Sequence, residues 1–334
     1  MRKELLLLGA FGMLTTATLC AQEFHLQPTP QEYITQKDSV DIPRQYQILS
    51  GNSVQDGPAL PLLRSLMPEE VLGASFRVYI GVKGDKIIKK YQHRIPRKSE
   101  GYFLKIEKDC IVIAGADERG AYYGVQTLAQ LLALDKLPLA EVTDYPDVPY
   151  RGVVEGFYGA PWSQEACIRQ LDFYGRNKMN VYIYGPKDDP YHRTPNWRKP
   201  YPAREGEELK VLVNRAKENN VIFYWAIHPG QDIRWNEEDR SLLLQKFESM
   251  YQLGVRGFAV FFDDISGEGT KADKQAELLN YIDDHFVKVK RDVAPLILCP
   301  TEYNKSWTDV EGGYLTTLGD KLNEGIKVMW TGDM

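Results

Sequence analysis

The chain has 334 residues, 41 basic against 46 acidic for a net charge of −5, with 43% hydrophobic and 26% charged residues. A length beyond roughly 250 residues predicts two domains, and this composition excludes a mostly disordered chain. The acidic balance excludes a strongly basic nucleic-acid binder, and four cysteines in so long a chain exclude a disulfide scaffold.

Residues 1–21 read as a segment apart from the fold. Arg2 and Lys3 are followed by an uncharged apolar stretch over 5–19, then by Leu19, Cys20 and Ala21 ahead of Gln22 and Glu23. This is the pattern of a secretory signal peptide cut after Ala21, which predicts a secreted or periplasmic protein. A lipid anchor on Cys20 is the alternative, disfavoured because Leu19 stands where a small residue is wanted. The apolar run is shorter than the ~20 residues of a membrane span, and no later segment qualifies. Of the cysteines beyond the leader, Cys110, Cys167 and Cys299, at least one has no partner. All three are expected reduced and mostly buried, and their spacing does not resemble a zinc site.

Residues 22–146 read as a small α+β domain. The alternation over 76–82 marks a half-buried strand. The runs 101–106 and 110–113 flank Glu107, Lys108 and Asp109 as a hairpin-like pair. From 117 to 132 apolar residues keep helical spacing, with Asp117 placed to cap the first turn. A helix on one face of an antiparallel sheet is predicted, and the Pro-rich stretch 144–149 is the predicted linker.

From residue 147 to 334 the pattern becomes strand, loop, helix, repeated. Strand-like runs cover 152–155, 180–184, 221–227, 257–262, 295–299 and 326–330, and helical segments cover 163–177, 205–219, 237–253, 272–287 and 315–324. Leu243, Phe247 and Met250 give the third helix its apolar face. The expected fold class is α/β, a (β/α)8 TIM-type barrel with its functional residues at strand C-terminal ends. A doubly wound sheet is the alternative, but no Gly-rich phosphate loop follows the first strand. A closed barrel of this type has eight strands and six runs are visible, so the sequence is expected to be a piece of a longer protein, its barrel truncated after about six strands.

Four strand ends carry the chemistry. The first reads Glu155-Gly156-Phe157-Tyr158-Gly159-Ala160-Pro161-Trp162, the second Tyr184-Gly185-Pro186-Lys187-Asp188-Asp189, the fourth Phe262-Asp263-Asp264 and the fifth Cys299-Pro300-Thr301-Glu302-Tyr303. Asp263 and Asp264 end an uninterrupted apolar strand, where neither serves a core. Two neighbouring carboxylates hold a proton on one of them, as a general acid requires. Adjacent residues do not straddle a glycosidic bond, so the pair fits a reaction in which the substrate supplies the nucleophile. A helix N-cap or a divalent-metal ligand is the blander reading. His228 is the one histidine expected near the barrel mouth, while Trp197 and Trp235 could stack on an aglycone or serve the rim.

Taken together these four motifs resemble those of family 84 glycoside hydrolases, the β-N-acetylglucosaminidases that include O-GlcNAcase. The segment from Gly115 to Leu128 resembles the N-terminal domain shared by families 84 and 20. The resemblance implies retaining, substrate-assisted hydrolysis of terminal β-linked N-acetylglucosamine (GlcNAc), with GlcNAc-bearing glycans or glycoproteins as partners and no cofactor or metal. It also implies that Asp264 is the general acid/base and that Asp263 orients the acetamide. Gly156 and Lys187 would contact the sugar, and Tyr303 would lie near the acetamido oxygen. Cys299 and Thr331 would line the acetyl-methyl pocket. A Trp, an Asn and an Asp on later loops would fall beyond residue 334, so activity is expected of the longer protein. A family 20-like hexosaminidase and a non-catalytic glycan-binding protein are the competing readings.

Overall fold

The computed structural model describes residues 25–67, 69–304, 306–308 and 313–331; the leader assigned to 1–21 lies outside them. The first layer is built from β1 (Glu32–Val40), β2 (Gln47–Ser50), α1 (Ala59–Leu66), β3 (Arg77–Val82), β4 (Tyr102–Ile106), β5 (Cys110–Gly115), α2 (Glu118–Leu132) and β6 (Leu137–Asp144). Its sheet has the order β1-β6-β4-β5-β3-β2. The predicted antiparallel sheet is corrected to a mixed one: β4 pairs antiparallel with β5 and β6, but β3 runs parallel to both β5 and β2. The crossover from β3 passes through a 3-10 segment over Lys86–Arg94 before β4 turns back. The linker is also shorter than predicted, because Asp144 belongs to β6.

Helix α2 shows why residues 117–132 are so apolar. The Asp117 carboxylate accepts from Gly120 N at 2.9 Å to cap it, and from Glu100 N and Ser99 Oγ to tie the preceding loop. Tyr122, Tyr123, Val125, Leu128 and Leu131 are all buried. The helix backbone approaches β4 so closely that a Cβ at Gly120 would fall 2.0 Å from the Gly101 carbonyl oxygen.

The second layer runs β7 (Gly152–Glu155), α3 (Gln164–Arg176), β8 (Val181–Tyr184), α4 (Ala203–Glu218), β9 (Ile222–Ile227), α5 (Glu237–Gln252), β10 (Gly257–Phe261), α6 (Ala272–Ile282) with a π-helical extension over Asp283–Val287, β11 (Ile297–Cys299), α7 (Tyr314–Lys321) and β12 (Lys327–Val328). All six strands are parallel, in the order β12-β11-β10-β9-β8-β7. Alternate residues serve two cores. Tyr182, Phe223, Trp225, Phe258 and Val260 pack against the helices with Leu243, Phe247 and Met250. Val181, Ile183, Tyr224, Ala226, Ala259, Phe261 and Ile297 form a second cluster on the opposite face. Burial on both faces explains why these strands read as continuous apolar runs. Between the edge strands lies a trough of about 490 Å³, lined by Val154, Ile183, Ile297, Val328 and Trp330 among others.

The two layers are pinned together by buried ions. Lys178 Nζ, on a residue 7% exposed, donates to Asp144 Oδ2 at 2.7 Å and Tyr102 Oη at 2.8 Å. Arg151 Nη2 donates to Glu100 Oε2 at 2.6 Å, and Asn180 Nδ2 to Glu100 Oε1 at 3.0 Å. Among the described residues no helix is long and apolar enough to cross a membrane.

Candidate active site

Because all six strands are parallel, their C-terminal ends lie at one end of the sheet, and the four sequence motifs fall there. β7 delivers Glu155 and then Gly156, β8 the loop to Lys187, β9 His228, β10 Asp263 and Asp264, and β11 Cys299 and the loop to Tyr303. The loops are stitched along the rim. Gly185 N donates to Glu155 O at 3.0 Å, Lys187 N to Phe157 O at 3.1 Å, Phe262 N to Cys299 O at 2.9 Å and Thr331 N to Tyr303 O at 2.8 Å.

The carboxylate pair is held from several sides. Lys187 Nζ donates to Asp263 Oδ2 at 2.6 Å, its side chain only 1% exposed. Read in isolation, Lys187 would be a solvated loop charge; the fold buries it instead. Tyr158 Oη donates to Asp264 Oδ2 at 3.1 Å. His228 Nε2 lies 2.7 Å from the Asp263 carbonyl oxygen. Alternation would send Asp263 and Asp264 to opposite faces, as it does Phe261 and Phe262. Asp264 instead takes a left-handed backbone, φ 53°, which breaks the alternation and keeps both carboxylates at the mouth.

The electrostatics follow from burial and from this pair. The Tyr303 phenol is pushed above its ordinary pKa by burial and then by Asp264 and Asp263, which places it in the field of both acids. Tyr158 is raised by burial and by Asp264. The Cys299 thiol is driven up chiefly by burial and then by Asp263, so it stands as an uncharged, half-buried wall. Cys167 is buried and raised to about 11, mainly by burial. Cys110 is half-buried, so only one of the three thiols is fully buried. Gly156 follows β7 directly, where an added Cβ would stand 3.4 Å from the Val154 side chain and 3.9 Å from the Phe261 ring. Thr331 is exposed and joins the rim through its backbone bond to Tyr303.

Glu155, 0% exposed, organises the first loop: Oε1 accepts from Trp162 N at 2.8 Å, and the Tyr182 hydroxyl donates to Oε2. Burial raises its pKa against these bonds. The second loop is anchored by Asp189, whose Oδ2 accepts from Tyr184 Oη at 2.9 Å and Tyr201 Oη at 2.7 Å. A cavity of about 270 Å³ between Trp162, Tyr184, Asp189, Tyr191 and Tyr201 lies behind these loops. None of the predicted site residues lines it.

Three expectations need correcting. Trp197 is not an aglycone platform: it is fully buried and donates Nε1–H to Asp232 Oδ1 at 2.7 Å. Trp235 is half-buried and stacks on Phe262 from the helix side. His228 is also not the sole histidine at the site, because His192 lies beneath it, the ring centres 6.3 Å apart. The hydroxyl of Tyr158 was missed although its motif was noted, since nothing in the sequence separates Phe157 from Tyr158 as the residue facing Asp264. Among the described residues no group of three or more His, Cys, Asp or Glu side chains could hold a metal ion.

A parallel sheet with paired carboxylates at one strand end, preceded by a small mixed-sheet domain, defines the architecture of a two-domain glycoside hydrolase. The family model described as beta-N-acetylglucosaminidase matches residues 151–334, and the glycosyl hydrolase family 20 domain 2 model matches residues 23–145. The chain is 37% identical over 190 residues to the protein O-GlcNAcase of Rattus norvegicus, covering 54% of this chain and 21% of that protein. It is similar to the solved structure of CpGH84B, with TM-score 0.86 and 36% identity over 93% of this chain and 57% of the other. It also resembles that of CpGH84D, with TM-score 0.84 and 29% identity over 94% and 56%. The chain belongs to the β-N-acetylglucosaminidase family, the family 84 glycoside hydrolases. It spans about a fifth of the length of the curated O-GlcNAcase and a little over half of the solved structures.

Proposed function

We propose that the full-length protein is an exo-β-N-acetylglucosaminidase that removes terminal β-linked GlcNAc from glycoproteins or glycans, by substrate-assisted hydrolysis with retention. In this reading Asp264, exposed at the mouth, protonates the departing oxygen and then deprotonates the incoming water. Asp263 accepts the acetamido N–H, so that the carbonyl oxygen attacks the anomeric carbon and an oxazoline forms. Lys187 and Gly156 contact the sugar, Tyr303 lies near the acetamido oxygen, and Cys299 and Thr331 border the methyl group. The leader over 1–21 exports the protein, so it meets its substrate outside the cytoplasm.

The observation that carries this reading is the split environment of two adjacent carboxylates. Asp263 is turned inward onto Lys187, while Asp264 is turned outward onto the Tyr158 hydroxyl. One is held to orient and the other is free to exchange protons with a leaving group. Both lie on one side of the mouth, so neither is placed to attack the sugar from the face opposite the other, which favours the substrate's own acetamide as nucleophile.

The test is the stereochemistry of turnover on an aryl N-acetyl-β-glucosaminide followed by proton NMR. The β-anomer of GlcNAc should appear first, and a thiazoline mimic of the intermediate should inhibit. Inversion, or a glycosyl ester trapped on either aspartate, would exclude substrate assistance.

A further inference from the structure

His228 follows directly on β9 and is 2% exposed. Its Nε2 lies 2.7 Å from the main-chain carbonyl oxygen of Asp263 and 3.5 Å from that residue's Oδ1. A carbonyl only accepts, so Nε2 carries the proton and donates it. Burial, and then the Lys187 ammonium, hold the imidazole below its ordinary pKa and hence neutral. The remaining nitrogen, Nδ1, is therefore a bare acceptor, buried and without a hydrogen-bond partner in the described structure. An orphaned buried acceptor is costly and rare. A side chain serving only to fill this space would be better made of carbon.

What the imidazole gains is control of one peptide plane. The carbonyl it grips belongs to the peptide joining Asp263 to Asp264, and Asp264 sits in the left-handed region at φ 53°. Asp enters that region more readily than most side chains, but it stays there only where its surroundings hold it. With the carbonyl pinned from the β9 side, the Asp263–Asp264 plane cannot rotate back toward extended backbone. Were it free to do so, alternation would swing the Asp264 carboxylate away from Tyr158 and the mouth.

We infer that His228 is a positioning residue for the reaction: its Nε2–H donor locks the Asp263 carbonyl and thereby holds Asp264 in the left-handed turn that presents its carboxyl to the leaving group. The inference rests on the assignment of Asp264 as the acid/base. It adds that the acid's placement is enforced from a neighbouring strand by a hydrogen bond to main chain.

The experiment compares His228→Leu, His228→Gln and Asp264→Ala in the full-length protein, on aryl N-acetyl-β-glucosaminides whose phenols range from acidic to weakly acidic. His228→Leu should lower kcat/KM about a hundredfold for the poorest leaving group and less than tenfold for the best, with KM nearly unchanged. His228→Gln, whose amide N–H can reach the same carbonyl, should recover most of the loss. An equal loss across leaving groups in His228→Leu, or no recovery in a folded His228→Gln, overturns the inference. If Asp264→Ala keeps its leaving-group selectivity in that case, the acid assignment itself survives. Should Asp264→Ala also lose rate uniformly, both fall together. A nitrogen-15 spectrum of the wild-type histidine rings gives a check independent of folding in the variants. A protonated Nε2 with a bare Nδ1 on His228 is expected, and the opposite tautomer would overturn the inference.

Discussion

The Lys187 ammonium meets the Asp263 carboxylate at 2.6 Å with almost no solvent on either side, the side chains 1% and 15% exposed. The two residues are 76 positions apart in sequence and come together because β8 and β10 flank β9 in a parallel sheet, which brings the loops after them to one rim. A buried pair of this kind gives little net stability, but it fixes geometry, and removing one partner strands the other. Lys187 therefore sets the direction in which the Asp263 carboxylate points.

If Asp263 orients the acetamide as proposed, Asp263→Asn should slow both formation and opening of the cyclic intermediate, because the amide is uncharged and keeps one acceptor oxygen in place of two. Inhibition by a thiazoline mimic should weaken at least tenfold, about 1.4 kcal/mol. Unchanged affinity for the mimic would remove Asp263 from the acetamide.

Glu155 tests how the first loop is held. Glu155→Ala leaves the Trp162 N–H and the Tyr182 hydroxyl without the carboxylate they bond. Each stranded group costs about 1–3 kcal/mol. A loss of about 2–4 kcal/mol in urea unfolding is expected, together with a raised KM, since Gly156 and Tyr158 ride on the same loop. A stability change below about 0.5 kcal/mol, the range of inert surface changes, would mean the loop is secured elsewhere.

His192 gives a pH dependence with a definite sign. Burial holds its pKa down at about 3, against 6.5 ordinarily. Between those values the unfolded chain binds a proton that the folded chain refuses, so stability falls as pH falls through this window. Each unit costs about tenfold in the unfolding equilibrium while this difference lasts. His228, also lowered by burial, acts in the same direction. His192 Nδ1 donates to Ala226 O at 3.2 Å, a bond that Asn can imitate. His192→Asn should therefore flatten the acid slope of the urea midpoint between pH 6.5 and 4. An unaltered slope would assign acid sensitivity to other groups.

The junction between the layers makes a further prediction. Lys178→Ala would leave Asp144 buried without its cation and cost about 3–5 kcal/mol. Lys178→Met combined with Asp144→Leu should recover most of that, because the Tyr102 hydroxyl still has Thr127 Oγ1 at 2.6 Å. Calorimetry that found the double variant as weak as Lys178→Ala would show that the ions themselves hold the junction.

Much of this was legible in the sequence where the physics is local or periodic. β7 occupies 152–155 as read, and the other five parallel strands fall inside their apolar runs; for β8 to β11 burial on both faces leaves a continuous signal, while the edge strands β7 and β12 are largely exposed. The cap at Asp117 is a short-range bond that a sequence can display; those at Ser163 and Asn236 are of the same kind and were not read. β1 was missed because its nine residues are largely exposed and polar, so no alternation marks it. Trp197 was misplaced because Asn196, Arg198 and Lys199 give it a polar neighbourhood in sequence, while the fold buries the ring and bonds it to Asp232, 35 positions away. At the site, Asp263, Asp264, Lys187 and the place of His228 near the mouth could be read, but not the left-handed turn at Asp264 nor the bond from His228 to the Asp263 carbonyl. Those depend on which loops the parallel sheet places side by side.

The most direct measurement is the leaving-group dependence of Asp264→Ala in the full-length protein, read as kcat/KM across aryl N-acetyl-β-glucosaminides. If Asp264 protonates the departing oxygen, acidic phenols, which need little help, should lose at most about tenfold, while weakly acidic phenols and natural glycosides should lose 10²–10⁴-fold. A uniform loss across the series, or full activity on the poorest leaving group, would contradict the assignment of Asp264 as the acid.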